Sequence, residues 1–199
     1  MRNVISFIIC LCVGLFYNSP LSGACSAETI NYTGEDTVNF YLEVNGSIRE
    51  MKNVSVDMGD NPWLDSATVT VYLNNAVYAK VYTTRRGKCS FRLPLDRVYV
   101  VELSKRGYVS KKFEVNTKTP PSKKDAYDFN FDMNIFEYIE GLDTKVLEKP
   151  IAIVYFNIPN SRFEYDAAYT NRINNDLKLM YRNYYLLENK SKKKKTKSE

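Results

Sequence analysis

Histidine is absent from the 199 residues of this chain, which removes the commonest general base and the commonest transition-metal ligand together. No Ser-His-Asp or Cys-His constellation can be assembled. Glycine-rich phosphate loops and paired CxxC motifs are missing as well. Of the 4 cysteines, Cys10 and Cys12 fall in an apolar N-terminal stretch. Only Cys25 and Cys89 remain for a folded domain, and one pair is no framework of staples. Cys89, ahead of Phe91 in CSFRLPL, reads as a small buried hydrophobe. The chain is therefore expected not to be an enzyme, with no catalytic residue, no metal site and no cofactor. Asp128, Asp132 and Glu137 are the candidates for a carboxylate pair, but alternation puts Asp128 and Asp132 on the polar side of a strand, where solvation accounts for them. Asp57, Asp60, Asn61 and Asp65 form the one oxygen-rich cluster; it lacks EF-hand spacing and reads as turn chemistry.

Long apolar runs are scarce too. Val4 to Tyr17 is the one candidate, at about 14 residues shorter than the roughly 20 that a spanning helix needs. With Arg2 before it and Ser22-Gly23-Ala24 after it, residues 1–24 read as a secretory signal. Three cuts stay open. One after Ala24 releases a soluble chain, and the same position offers Cys25 for lipidation, although Ser22 stands where a leucine-like residue is usual. One after Ala27 discards Cys25. The expected location is the periplasm or the outer membrane, as a free protein or a lipoprotein.

The net charge of +5 is concentrated at one end, since NKSKKKKTKSE, residues 189–199, holds six lysines and one glutamate. The stretch from 25 to 188 is close to −1, so no basic face for nucleic acid is expected. The tail reads as a solvated, disordered lysine run, with weak contact to anionic lipid as the sharper alternative.

What the chain has in quantity is aromatic: 16 tyrosines and 10 phenylalanines, which favour strands. Val38–Val44 and Arg49–Val56 flank Asn45-Gly46, a strong hairpin signal. ATVTVYL alternates with period two, and VYAKVYT, CSFRLPL and the arms of VVELSKRGYVSKKFEV follow, with Gly107 at a turn that needs a positive φ. AYDFNFDMNI is the cleanest strand: Tyr127, Phe129, Phe131, Met133 and Ile135 face one way, Asp128, Asn130, Asp132 and Asn134 the other. Ile151–Phe156 adds another. About seven or more strands without interleaved helices predict an antiparallel β-sandwich over residues 28–165. Ile173, Leu177, Met180, Tyr184 and Leu187 recur at helical steps, giving one amphipathic helix over 166–188, capped by Asp166 or Thr170.

Residues 67–115 run from ATVTVYL through Gly87 and Phe91 to the phrase Lys105-Arg106-Gly107-Tyr108. This stretch resembles the carboxypeptidase regulatory-like domain, a transthyretin-like sandwich, in the variant frequent among envelope proteins of Bacteroidota. Asp65-Ser66 stands where such domains usually carry a glycine, and Arg85-Arg86 where they carry an aspartate or asparagine. The resemblance implies an accessory module attached to secretion or surface machinery, with no catalytic residue to carry over. Together these features predict an exported binding or structural subunit of a bacterial envelope assembly, with a protein partner. The candidate contact residues are Trp63, Leu177, Met180, Tyr181, Tyr184 and Tyr185, and membrane contact would come through a Cys25 lipid or the lysine tail. The alternative is a carbohydrate- or peptidoglycan-binding module using exposed aromatics.

Overall fold

A computed structural model describes residues 40–52 and 61–196. The signal segment, Cys25, Asp57 and Asp60 lie outside the described residues. Among the described residues the chain is mostly β, with nine strands in two sheets and one C-terminal α-helix. The smaller sheet has the order β4-β1-β7, built from β1 (Tyr41–Glu50), β4 (Lys88–Pro94) and β7 (Tyr127–Ile135). The larger runs β3-β2-β5-β6-β8-β9, from β2 (Thr68–Leu73), β3 (Ala76–Tyr82), β5 (Val98–Ser104), β6 (Lys111–Asn116), β8 (Ile153–Asn157) and β9 (Arg162–Tyr165). Most pairs are antiparallel, as expected, while β1 with β7 and β6 with β8 run parallel.

Alternation builds the core. Leu42, Val44 and Ile48 from β1, Leu93 from β4 and Phe131 and Ile135 from β7 meet Val69, Val71, Tyr99, Val101, Leu103, Phe113 and Val115 across the sandwich, all buried. The β5–β6 connection forms at Gly107, whose φ is +85, and Tyr138 N–H bonds its carbonyl at 2.8 Å.

The Asn45-Gly46 hairpin is not present. β1 passes straight through both residues, because Gly46 sits where the sheet has no room for a side chain: a Cβ there would meet Cys89 Sγ at 2.6 Å and Phe131 Cε1 at 2.7 Å. Close approach, rather than a positive φ, explains this glycine.

Helix α1 (Ala167–Thr196) begins at Asp166, which accepts Tyr169 N–H at 2.8 Å. It continues past 188 into the lysine run, a composition with good helix propensity and one that suits the negative end of the helix dipole. Ile173, Leu177, Met180 and Tyr184 close a second core with Met51, Val109, Phe136, Leu142 and Leu147.

Candidate functional site

The alternation that buries one side of the β4-β1-β7 sheet turns a continuous polar surface outward. β1 contributes Glu43, Asn45, Ser47 and Arg49, while β4 contributes Lys88, Ser90 and Arg92. From β7 come Asp128, Asn130 and Asp132, all exposed. The register sets Asn45 opposite Ser90 on one side and Asn130 on the other. Ser47 lies between Lys88 and Asp132 in the same way. A cavity of about 590 Å³ opens here, and six of its lining residues are Asn45, Ser47, Lys88, Ser90, Asn130 and Asp132. Gly46, Cys89 and Phe131 line it from the intervening positions, with Val81 and Thr84 at its margin. The lining thus combines residues with amide, hydroxyl, ammonium and carboxylate side chains with the core residues Cys89, Phe131 and Val81.

Two aromatic residues flank this surface. Trp63 is 38% exposed and bridges to Arg49 at the end of β1. The Arg49 guanidinium lies 3.4 Å from the centre of its ring and Lys88 Nζ 4.9 Å. Arg49 also donates to the Asn61 carbonyl at 2.8 Å, and Lys88 donates to Ser47 Oγ. Trp63 thus seats two cations and does not present a bare stacking platform. Tyr165, 41% exposed, packs edge-on against Phe129 at 5.1 Å. Desolvation first, and the Asp132 carboxylate second, push its hydroxyl up to about 12.

A second polar centre lies beneath α1. Lys111 has the same parity as Val109, Phe113 and Val115 on the inner side of β6, and it is 3% exposed. Its ammonium donates to the Asn134 carbonyl and to Tyr181 Oη at 2.7 Å, and it sits 5.3 Å from the Phe136 ring centre. Burial lowers the Lys111 amine from 10.5 to about 7. Burial raises the Tyr181 hydroxyl to about 12.

The residues singled out from sequence are dispersed by the fold. Leu177, Met180 and Tyr184 are buried in the second core and Tyr181 is partly buried over Lys111. Only Tyr185, at 45%, and Trp63 are open to contact. Asp128 and Asp132 share one face of β7 four residues apart, about 13 Å along the strand. Glu137 bridges to Tyr108 elsewhere. Among the described residues no group of three acidic or cysteine side chains could hold a metal. Sequence reasoning missed Asn45, Ser47, Lys88 and Ser90; it placed Asn130 on the polar side of its strand without a role and set Asp132 aside as solvated. The outward parity of AYDFNFDMNI was the available signal.

No protein-family model matches the chain. No curated protein matches it either. Solved structures do. Catechol 1,2-dioxygenase from Acinetobacter sp. ADP1 is 14% identical over 59% of this chain and 59% of its own, with a TM-score of 0.40. The 5-hydroxyisourate hydrolase of Klebsiella pneumoniae is 11% identical over 49% of this chain and 98% of its own, at 0.32. A candidate carbohydrate binding protein of Bacteroides uniformis is 17% identical over 49% of this chain and 42% of its own, at 0.32. The chain thus spans less than two thirds of the dioxygenase and of the Bacteroides protein.

These matches correct one expectation. The chain is expected from its sequence not to be an enzyme, yet enzymes, a catechol 1,2-dioxygenase and a 5-hydroxyisourate hydrolase, stand among the solved structures it resembles. Likeness at these TM-scores assigns no activity to the chain.

Proposed function

We propose that the chain is an exported binding module of a bacterial envelope, of the carboxypeptidase regulatory-like kind, and that its ligand is a glycan held on the polar face of the β4-β1-β7 sheet. One observation carries this: the cavity whose lining includes Asn45, Ser47, Lys88, Ser90, Asn130 and Asp132. A sugar presents closely spaced hydroxyls, each both donor and acceptor, and such a ligand can satisfy amide, hydroxyl, ammonium and carboxylate groups at once. An apolar ligand would leave them unpaired, at a penalty of about 1–3 kcal/mol for each buried group. Tyr165 beside Asp132 adds an amphipathic ring at the margin.

Export, by contrast, rests on the sequence of residues 1–24, and attachment through Cys25 on its position after Ala24. Mass spectrometry of the N-terminus of protein recovered from its native envelope tests this, a lipid adduct on Cys25, a free Cys25 start and a Glu28 start being the distinguishable results. Glycan arrays test the ligand. The full chain is expected to bind a subset of glycans, and Asn130→Ala with Asp132→Ala to lose roughly tenfold or more in affinity, as removal of two hydrogen-bonding groups implies. Silence on every glycan, or equal binding by the double variant, contradicts the assignment.

A further inference from the structure

The face of α1 opposite its buried stripe carries Leu179 and Leu186, 61% and 51% exposed. They lie one heptad apart, about 20° from each other around the helix. Helical spacing gathers Arg172, Arg182, Lys190 and Lys193 about them, together with Asn175 and Asn183, all exposed. No carboxylate interrupts this stripe. Asp176 stands at its edge, three residues before Leu179 and four after Arg172, while Glu188, paired with Lys192 at 2.7 Å, lies on the opposite side of the helix.

We propose that this stripe is a membrane-facing surface, on which α1 lies against an anionic lipid bilayer with Leu179 and Leu186 set into the headgroup region and the arginines and lysines on lipid phosphates. Charge complementarity requires an anionic partner. The two leucines at its centre favour lipid over nucleic acid, whose phosphate backbone is met by basic and polar side chains. At its C-terminal end, Lys190 and Lys193 also border a cavity shared with Ile139, Glu140 and Leu187. The contact is peripheral, since among the described residues no helix is long and apolar enough to cross a membrane. It extends the expected lipid contact of the lysine tail onto the body of the helix. It is independent of the glycan assignment, which concerns other elements.

Flotation of the full chain with vesicles of phosphatidylcholine alone, and of phosphatidylcholine mixed with phosphatidylglycerol, tests this. Wild type is compared with Leu179→Ser plus Leu186→Ser and with Arg182→Glu plus Lys190→Glu. The apolar segment 4–17 is common to all three proteins, so differences between them report α1. All four positions are exposed, and matching thermal unfolding curves confirm that the variants fold. Wild type is expected to prefer the phosphatidylglycerol vesicles and to be released by salt. Each double variant is expected to lose about tenfold or more in partitioning. Equal flotation of the variants and wild type, or equal partitioning of wild type into both vesicles, overturns the proposal. Capture of DNA or of an acidic protein with no vesicle binding also overturns it.

Discussion

At Gly46 a single added methyl group would meet Cys89 Sγ and the Phe131 ring below 3 Å, so Gly46→Ala must push the sheet apart. Overpacking of this kind costs about 1–3 kcal/mol, and a lower urea midpoint with unchanged slope is the expected result. Lys111 acts in the opposite sense. Its amine titrates near 10.5 in the unfolded chain and at about 7 in the fold. Between those values the unfolded state binds more protons, so stability rises with pH across that window, while below pH 7 the full penalty is present. The displacement corresponds to about 5 kcal/mol against the charged form, net of its bonds to Asn134 and Tyr181. Lys111→Met is therefore expected to stabilise the protein at pH 6, where the penalty on the buried ammonium is fully present. The variant should also lose the rise between pH 7 and 9, as read by denaturant unfolding at each pH. A variant less stable than wild type at pH 6, with the pH slope intact, would show that the amine is not desolvated.

Among the elements, α1 is held by its buried stripe and by its cap. Leu177→Ala is expected to remove about 3 kcal/mol and Asp166→Ala about 1 kcal/mol, and hydrogen exchange along the helix reads both. Much of this was legible. Period-two alternation marked β2, β4, β5 and β7, because one face of each is buried, and three- and four-residue steps marked α1. β1 was obscured because Asn-Gly is the strongest hairpin dipeptide, while the demand on Gly46 comes from Phe131, 85 positions away. β9 has only four residues, too few for a periodic signal. Lys111 could have been read, since it shares parity with Val109, Phe113 and Val115. Its depth, however, depends on a helix 70 positions further on.

In the whole molecule, the polar surface owes its composition to local alternation and its shape to long-range register. The polar side of β7 was visible in sequence. Its parallel alignment with β1, and the antiparallel alignment of β4, which together set Asn130, Asn45 and Ser90 in one row, were not. The two cores leave opposite duties to separate surfaces, a sheet face of mixed polarity and a basic helix stripe. The chain's single tryptophan lies beside the first, with Arg49 and Lys88 over its ring. A ligand that draws Lys88 towards its own oxygens will change the field at that ring. Titrating the tryptophan fluorescence of the full chain with a soluble peptidoglycan fragment is thus the most direct measurement. A saturable change that Asn130→Ala with Asp132→Ala abolishes is the predicted result. A flat titration, or a change that survives in the double variant, would contradict a glycan site on this sheet.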